Sequence, residues 1–200
     1  MADPVISIAN ARTTEGSSSS DPNFVTFEIL LSDAAASEIT FDWRVIPGST
    51  IDHFDFNSQT FQSGSITVPA GDSSVLLSLR IDADVLDEAD DSFVLELSGL
   101  VGAQFEGGGD RLTATGFILD DDGSGENRVL AVSSPELIEG DTGSQIALFH
   151  LSLSRAATQD LSFDFQTLDG SALAGEDYVA TSGTVTFLAG QLEAIVEVQV

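Results

Sequence analysis

Apolar and polar residues alternate in short runs along this chain, and no stretch keeps the three-to-four-residue spacing of a helix. Val75, Leu77, Leu79 and Ile81 alternate into an acidic stretch, and Phe93, Leu95 and Leu97 alternate out of it. That pattern predicts strand, loop, strand. The same reading along the first 122 residues places strands at 4–11, 24–32, 38–46, 65–68, 75–81, 92–100 and 112–119. Turn chemistry separates them: Pro47-Gly48, Pro69-Ala70-Gly71-Asp72 and Gly107-Gly108-Gly109-Asp110. Seven short strands in this length predict an all-β fold, an antiparallel immunoglobulin-like β-sandwich, with an extended barrel as the alternative. On strand 38–46 the parity sends Ile39, Phe41, Trp43 and Val45 inward and Asp42 and Arg44 outward.

The pattern then restarts. Leu161-Ser-Phe163-Asp-Phe165 matches Ile39-Thr-Phe41-Asp-Trp43 at an offset of 122 residues, and Asp177-Tyr178 matches Asp55-Phe56 at the same offset. Ser182-Gly183-Thr-Val185-Thr-Phe187 matches Ser63-Gly64-Ser-Ile66-Thr-Val68 at an offset of 119, and Val196, Val198 and Val200 match Leu77, Leu79 and Ile81. This is an internal repeat. The expected organisation is one complete copy over 1–122, a polar Gly-containing linker over 123–129, and an incomplete second copy over 130–200. The second copy holds equivalents of the first five strands and lacks the last two, so the natural chain is expected to continue.

Composition narrows the partners. The 200 residues carry 33 acids and 6 bases, a net charge of -27, and all six bases are Arg. Nucleic acid and anionic membrane both require a basic footprint, so neither is expected as a partner. Without cysteine there is no disulfide and no thiolate metal site. No run approaches the length of a membrane span, so no direct membrane insertion is expected. A nucleophile elbow, a His-rich metal triad and a phosphate-cradling loop are all missing, so an enzyme is not expected.

The acids are not scattered. If successive strands alternate in direction, four segments fall on one tip of the first sandwich. They are the connection holding Glu15, the loop holding Asp52 and Asp55, the 82–91 stretch, and Asp120-Asp121-Asp122. The opposite end carries few acids. Carboxylate oxygens from several loops suit a hard cation, and calcium accepts 6–8 oxygens in flexible geometry, whereas magnesium keeps its waters. The alternative is a solvated acidic rim.

Three sequence stretches resemble a known module. Ala174-Gly175-Glu-Asp177-Tyr178, followed by Ser182-Gly183-Thr-Val185-Thr-Phe187, is similar to the Calx-beta repeat signature; so are Asp84-Val-Leu-Asp-Glu88-Ala-Asp-Asp91-Ser-Phe93 and Phe117-Ile118-Leu119-Asp120-Asp121-Asp122. The resemblance implies an immunoglobulin-like sandwich with Ca2+ at one tip. The implied ligand positions are Glu15, Asp55, Asp84, Glu88, Asp91, Asp120, Asp121 and Asp122. Ala83 stands at a usually acidic position, with Asp82 beside it; Asp87 and Asp90 read as solvated neighbours. In the second copy only Glu139 and Asp177 match. The family occurs in sodium/calcium exchangers and in tandem arrays of surface proteins. The expected role is therefore a calcium-binding structural module that stiffens the joint between repeats of an extracellular or cell-surface protein. Its expected partners are calcium ions, neighbouring repeats, and another surface protein or a glycan. An adhesive or carbohydrate-binding sandwich with a merely solvated rim is the alternative.

Overall fold

The computed structural model describes residues 3–16, 23–47, 62–122, 128–135, 137 and 144–200. Alternation dictates its strands. In β3 (Asn23–Leu31) every second residue is buried, from Val25 through Phe27 and Ile29 to Leu31. The same parity buries Leu77, Leu79 and Ile81 of β6 (Ser74–Ile81), Ile39, Phe41 and Val45 of β4 (Ile39–Pro47), and Phe93, Leu95 and Leu97 of β7 (Asp91–Val101). Two sheets face each other across these residues. One has the order β6-β3-β1-β8, with β1 (Val5–Ile8) and β8 (Gln104–Phe105). The other has the order β2-β9-β7-β4-β5, with β2 (Ala11–Thr14), β5 (Ser63–Val68) and β9 (Arg111–Leu119). This is the all-β sandwich the alternation predicts. Phe27 and Phe93 meet across the layers edge to face, with centroids 6.0 Å apart and planes at 74°. Fully burying one such ring contributes about 1.5–3 kcal/mol.

Three details depart from the sequence expectation. The first strand is two: β1 runs antiparallel to β3, then the chain crosses at residues 9–10 and β2 joins β9 in parallel. Asn10 holds the crossing, since its Oδ1 accepts from Thr115 N at 2.8 Å. The turn after β7 contains the extra short strand β8, which pairs in parallel with β1. Trp43 is half-buried and packs against the core from its margin rather than within it.

The second half forms β10 (Leu130–Val132), β11 (Ile146–Leu153), β12 (Leu161–Gln166), β13 (Ser182–Phe187) and β14 (Glu193–Gln199). They make a sheet of order β10-β11-β14 and a two-stranded sheet β12-β13 around their own apolar cluster. The internal repeat extends to register. Phe27↔Leu77 becomes Phe149↔Val196, and Phe41↔Ile66 becomes Phe163↔Val185. Asp42 accepts from Ser65 Oγ at 2.5 Å, and its counterpart Asp164 accepts from Thr184 Oγ1 at 2.6 Å. Gly64 lies under the Trp43 ring and Gly183 under the Phe165 ring, so both copies set a glycine across from an aromatic.

Candidate metal centre at the acidic tip

The ladder between β2 and β9 delivers the first and last acids to one place. Beyond Thr14↔Leu119, Glu15 N donates to Leu119 O at 2.8 Å. The chain then turns at Gly16, whose φ of 85° lies in the left-handed region that suits glycine. Gly16 N donates to Asp121 Oδ1 at 2.8 Å, and Asn23 Nδ2 donates to the Glu15 carbonyl.

The 82–90 segment folds onto the same spot. Ala83 is buried there. Asp84 N donates to Glu15 Oε1 at 3.2 Å, and Leu86 N to Asp84 Oδ1 at 2.7 Å. Asp84 and Glu88 themselves face solvent. The Glu15 carboxyl is pushed up to about 7, first by burial and then by the charge of Asp84, with Glu88 and Asp120 adding to it; the bond from Asp84 N opposes the rise. Like charges and desolvation both favour the neutral acid.

Asp120 is buried, and its Oδ1 accepts from Asp122 N at 3.2 Å. Asp121 is exposed, while Asp122 is half-buried with an Oδ2 that is buried and has no hydrogen-bond partner among the described residues. Asp91 opens β7, opposite Ile118. The structure thus brings Asp84, Glu88 and Asp120 within electrostatic reach of Glu15, with Asp121 bonded to the Glu15–Gly16 turn. Asp55, with Asp52 and His53, lies outside the described residues, as does Glu139. In the second half Asp177 Oδ2 accepts from Leu173 N at 2.8 Å within its own loop.

Asp87 is exposed as expected, but Asp90 is not a solvated neighbour; it is 1% exposed. Its two oxygens accept from Arg155 Nε at 2.9 and 2.8 Å, from Arg155 Nη2 at 2.6 Å, from Ser154 Oγ at 2.7 Å and from Asp120 N at 3.2 Å. Arg155 Nη2 also donates to the Asp120 carbonyl. The bond to Asp90 raises the Arg155 guanidinium above its usual range. A residue of the second half is therefore clamped to the two segments that carry the tip. The sequence held a signal for this. Position 155 is the repeat equivalent of Asp33, so an acid has become one of only six bases in the chain. A second contact joins the halves: Asn10 Nδ2 donates to Ser152 Oγ at 2.8 Å and Arg12 Nη2 to the Leu153 carbonyl at 3.2 Å.

Among the described residues, no three His, Cys, Asp or Glu side chains stand together at metal-binding spacing. Asp84, Asp120 and Asp121 each accept from a backbone N–H instead. The donor set is nonetheless all oxygen, and the unpartnered Asp122 Oδ2 is the kind of buried acceptor a hard cation satisfies.

The sequence of residues 127–200 matches the family model of the Calx-beta domain. No curated protein matches the chain in sequence. Solved structures similar to it include CBD12 from CALX1.2, 15% identical and covering 98% of this chain and 75% of that one at a TM-score of 0.49. The apo form of the Calx CBD1 domain is 16% identical, covering 60% of this chain and 99% of that one, also at 0.49. The calcium binding domain CBD12 of CALX1.1 is 16% identical, covering 96% and 74%, at 0.47. The likeness in sequence to the Calx-beta domain family thus lies in residues 127–200, the second half of this chain.

Proposed function

We propose that the chain is a calcium-binding structural module, and that the ion binds the acidic tip of the first sandwich and stiffens the joint to the second. The observation that carries this reading is the convergence of three separated segments on one tip beside an unpartnered buried oxygen of Asp122. Glu15, Asp84, Glu88, Asp91, Asp120, Asp121 and Asp122 would hold the ion, with Asp55 as the implied contribution of the 48–61 segment. The ion supplies positive charge that offsets carboxylate repulsion. Because Asp120 also anchors Arg155, ordering the tip orders the clamp between the halves. Neighbouring repeats of an extracellular or cell-surface protein are the setting in which such a joint acts.

Calcium titration by calorimetry, paired with thermal unfolding followed at Trp43, tests the reading. The expected result is measurable heat, and stabilisation by about 2.7 kcal/mol at a hundredfold excess over Kd. Absence of heat, with identical melting in chelator and in millimolar calcium, would overturn it. Equal stabilisation by magnesium or by salt alone would favour the solvated rim.

A further inference from the structure

Phe117 is fully buried, yet it belongs to neither apolar core. Its neighbours along β9 face the interior: Gly116 lies against the Phe93 ring, and Ile118 joins the first core. The alternation of a strand therefore sends Phe117 to the outer face of its sheet. Its partners across the ladders are Arg12 of β2 and Ser92 of β7, and on that same face Ser92 and Thr115 are buried too. An exposed sheet face would leave such a ring wet. The cover comes from Arg12 and from the second half. Asn10, Arg12, Asp90 and Asp120 border this corner, and they bond the consecutive residues Ser152, Leu153, Ser154 and Arg155. Ser152, Leu153 and Ser154 are themselves buried. The Arg12 guanidinium lies 4.9 Å from the centre of the Phe117 ring, inside cation–π range, and also approaches Glu193 of β14 at 3.9 Å.

We propose that this corner is an orienting seat for the following repeat: a surface of the first sandwich that takes the 152–155 segment and sets the angle between the halves with no ion bound. Neighbouring domains move relative to one another unless a substantial apolar contact fixes them. Here a buried aromatic ring and a stacked arginine form the anchor, and hydrogen bonds surround it, the arrangement that concentrates energy at stable interfaces. The seat also discriminates. Ser152 and Arg155 stand at the positions of Leu30 and Asp33 in the first copy. A leucine there offers no hydroxyl to Asn10, and an aspartate would meet the buried Asp90 as a like charge. The second copy is therefore made for the seat, whereas the first copy is not. An ion at the tip would tighten the Arg155 clamp, but the seat sets direction, so the inference does not rest on calcium binding.

Pulsed electron spin resonance in chelator tests it, with spin labels on Glu28→Cys and Glu197→Cys, an exposed position in each half of a chain that has no cysteine of its own. The expected result is a single narrow distance distribution whose mean is the same in millimolar calcium. Phe117→Ala and Arg12→Ala should each make that distribution roughly twofold wider, as free motion between the halves returns. The paired change Ser152→Leu with Arg155→Asp, which writes the first copy's residues into the second, should widen it likewise. Unfolding read at Trp43 checks that the first sandwich stays folded; if Phe117→Ala does not fold, Arg12→Ala carries the test. A broad distribution in chelator would overturn the proposal, and if it narrowed only with calcium it would leave the calcium reading standing. A mean that moves with calcium would overturn it too, as would the parent's width in a folded Phe117→Ala or Arg12→Ala chain.

Discussion

The two halves of this molecule share a register and differ in closure. Five strands in each set the same pairs opposite one another, down to the Asp–hydroxyl bond and the glycine beneath an aromatic ring. In the first half the β7–β9 hairpin then seals the interior, so Phe27 and Leu79 are wholly buried and Ile81 nearly so. In the second half their counterparts Phe149, Val198 and Val200 line a cleft. Register is thus a local property of alternation, whereas a dry core depends on strands distant in sequence. The hairpin also brings the acidic 82–91 stretch, so closure and the tip arrive together.

The largest expected contrast is between equivalent rings. Phe27→Ala should cost about 3–5 kcal/mol, since it opens a cavity in a sealed core. Phe149→Ala should cost about 1–2 kcal/mol, since that ring is half solvated and the truncation transfers less area out of contact. Urea unfolding read at Trp43 for the first half and at Tyr178 for the second separates them; equal losses would mean that the second core is as closed as the first.

Next comes the clamp. Arg155→Ala strands the buried Asp90 charge and should cost about 3 kcal/mol. Adding Asp90→Asn should restore much of that loss, because the remaining group is then neutral. If Arg155→Ala leaves the melting of both halves unchanged, the pair does not hold the joint.

The smallest effect is in pH, and its sign differs between halves. The folded Glu15 value of about 7 lies above the ordinary 4.5, so its contribution to the first half is present below pH 4.5 and lost as pH rises toward 7. The Asp169 carboxyl in the second half is instead held low by the bonds from Tyr178 Oη and Ala174 N, so its contribution is present at neutral pH and lost on acidification. In chelator, Glu15→Gln should therefore flatten the loss of Trp43-reported stability between pH 4.5 and 7 and leave the Tyr178 signal unchanged. A first-half profile identical to that of the parent protein would show that Glu15 does not titrate in this window.

Much of this was legible in the residues. Alternation marks the strands, and the offsets 122 and 119 anticipate pairings such as Phe163↔Val185. Strand direction alone groups Glu15 with Asp84 and Asp120. The crossing at Asn10 was not legible, because a strand that changes sheets keeps its extended pattern on both sides. Asp90 was misread because its neighbours are solvated acids, and its partner lies 65 residues away in the other repeat. Only a comparison of the repeats exposes it, through Asp33 and Arg155 at equivalent positions.

The parallel pairing of β2 with β9 has a mechanical consequence. A pull from residue 3 passes first through β1 and its pairs with β3 and β8, then enters β2 at Ala11, and an opposing pull from beyond Asp122 leaves β9 at Leu119. The two strands are drawn past each other along their length, so the four pairs from Ala11↔Gly116 to Thr14↔Leu119 carry tension together rather than peeling one after another. The acids sit where that load leaves the sandwich, and the Arg155 clamp is the next link to receive it.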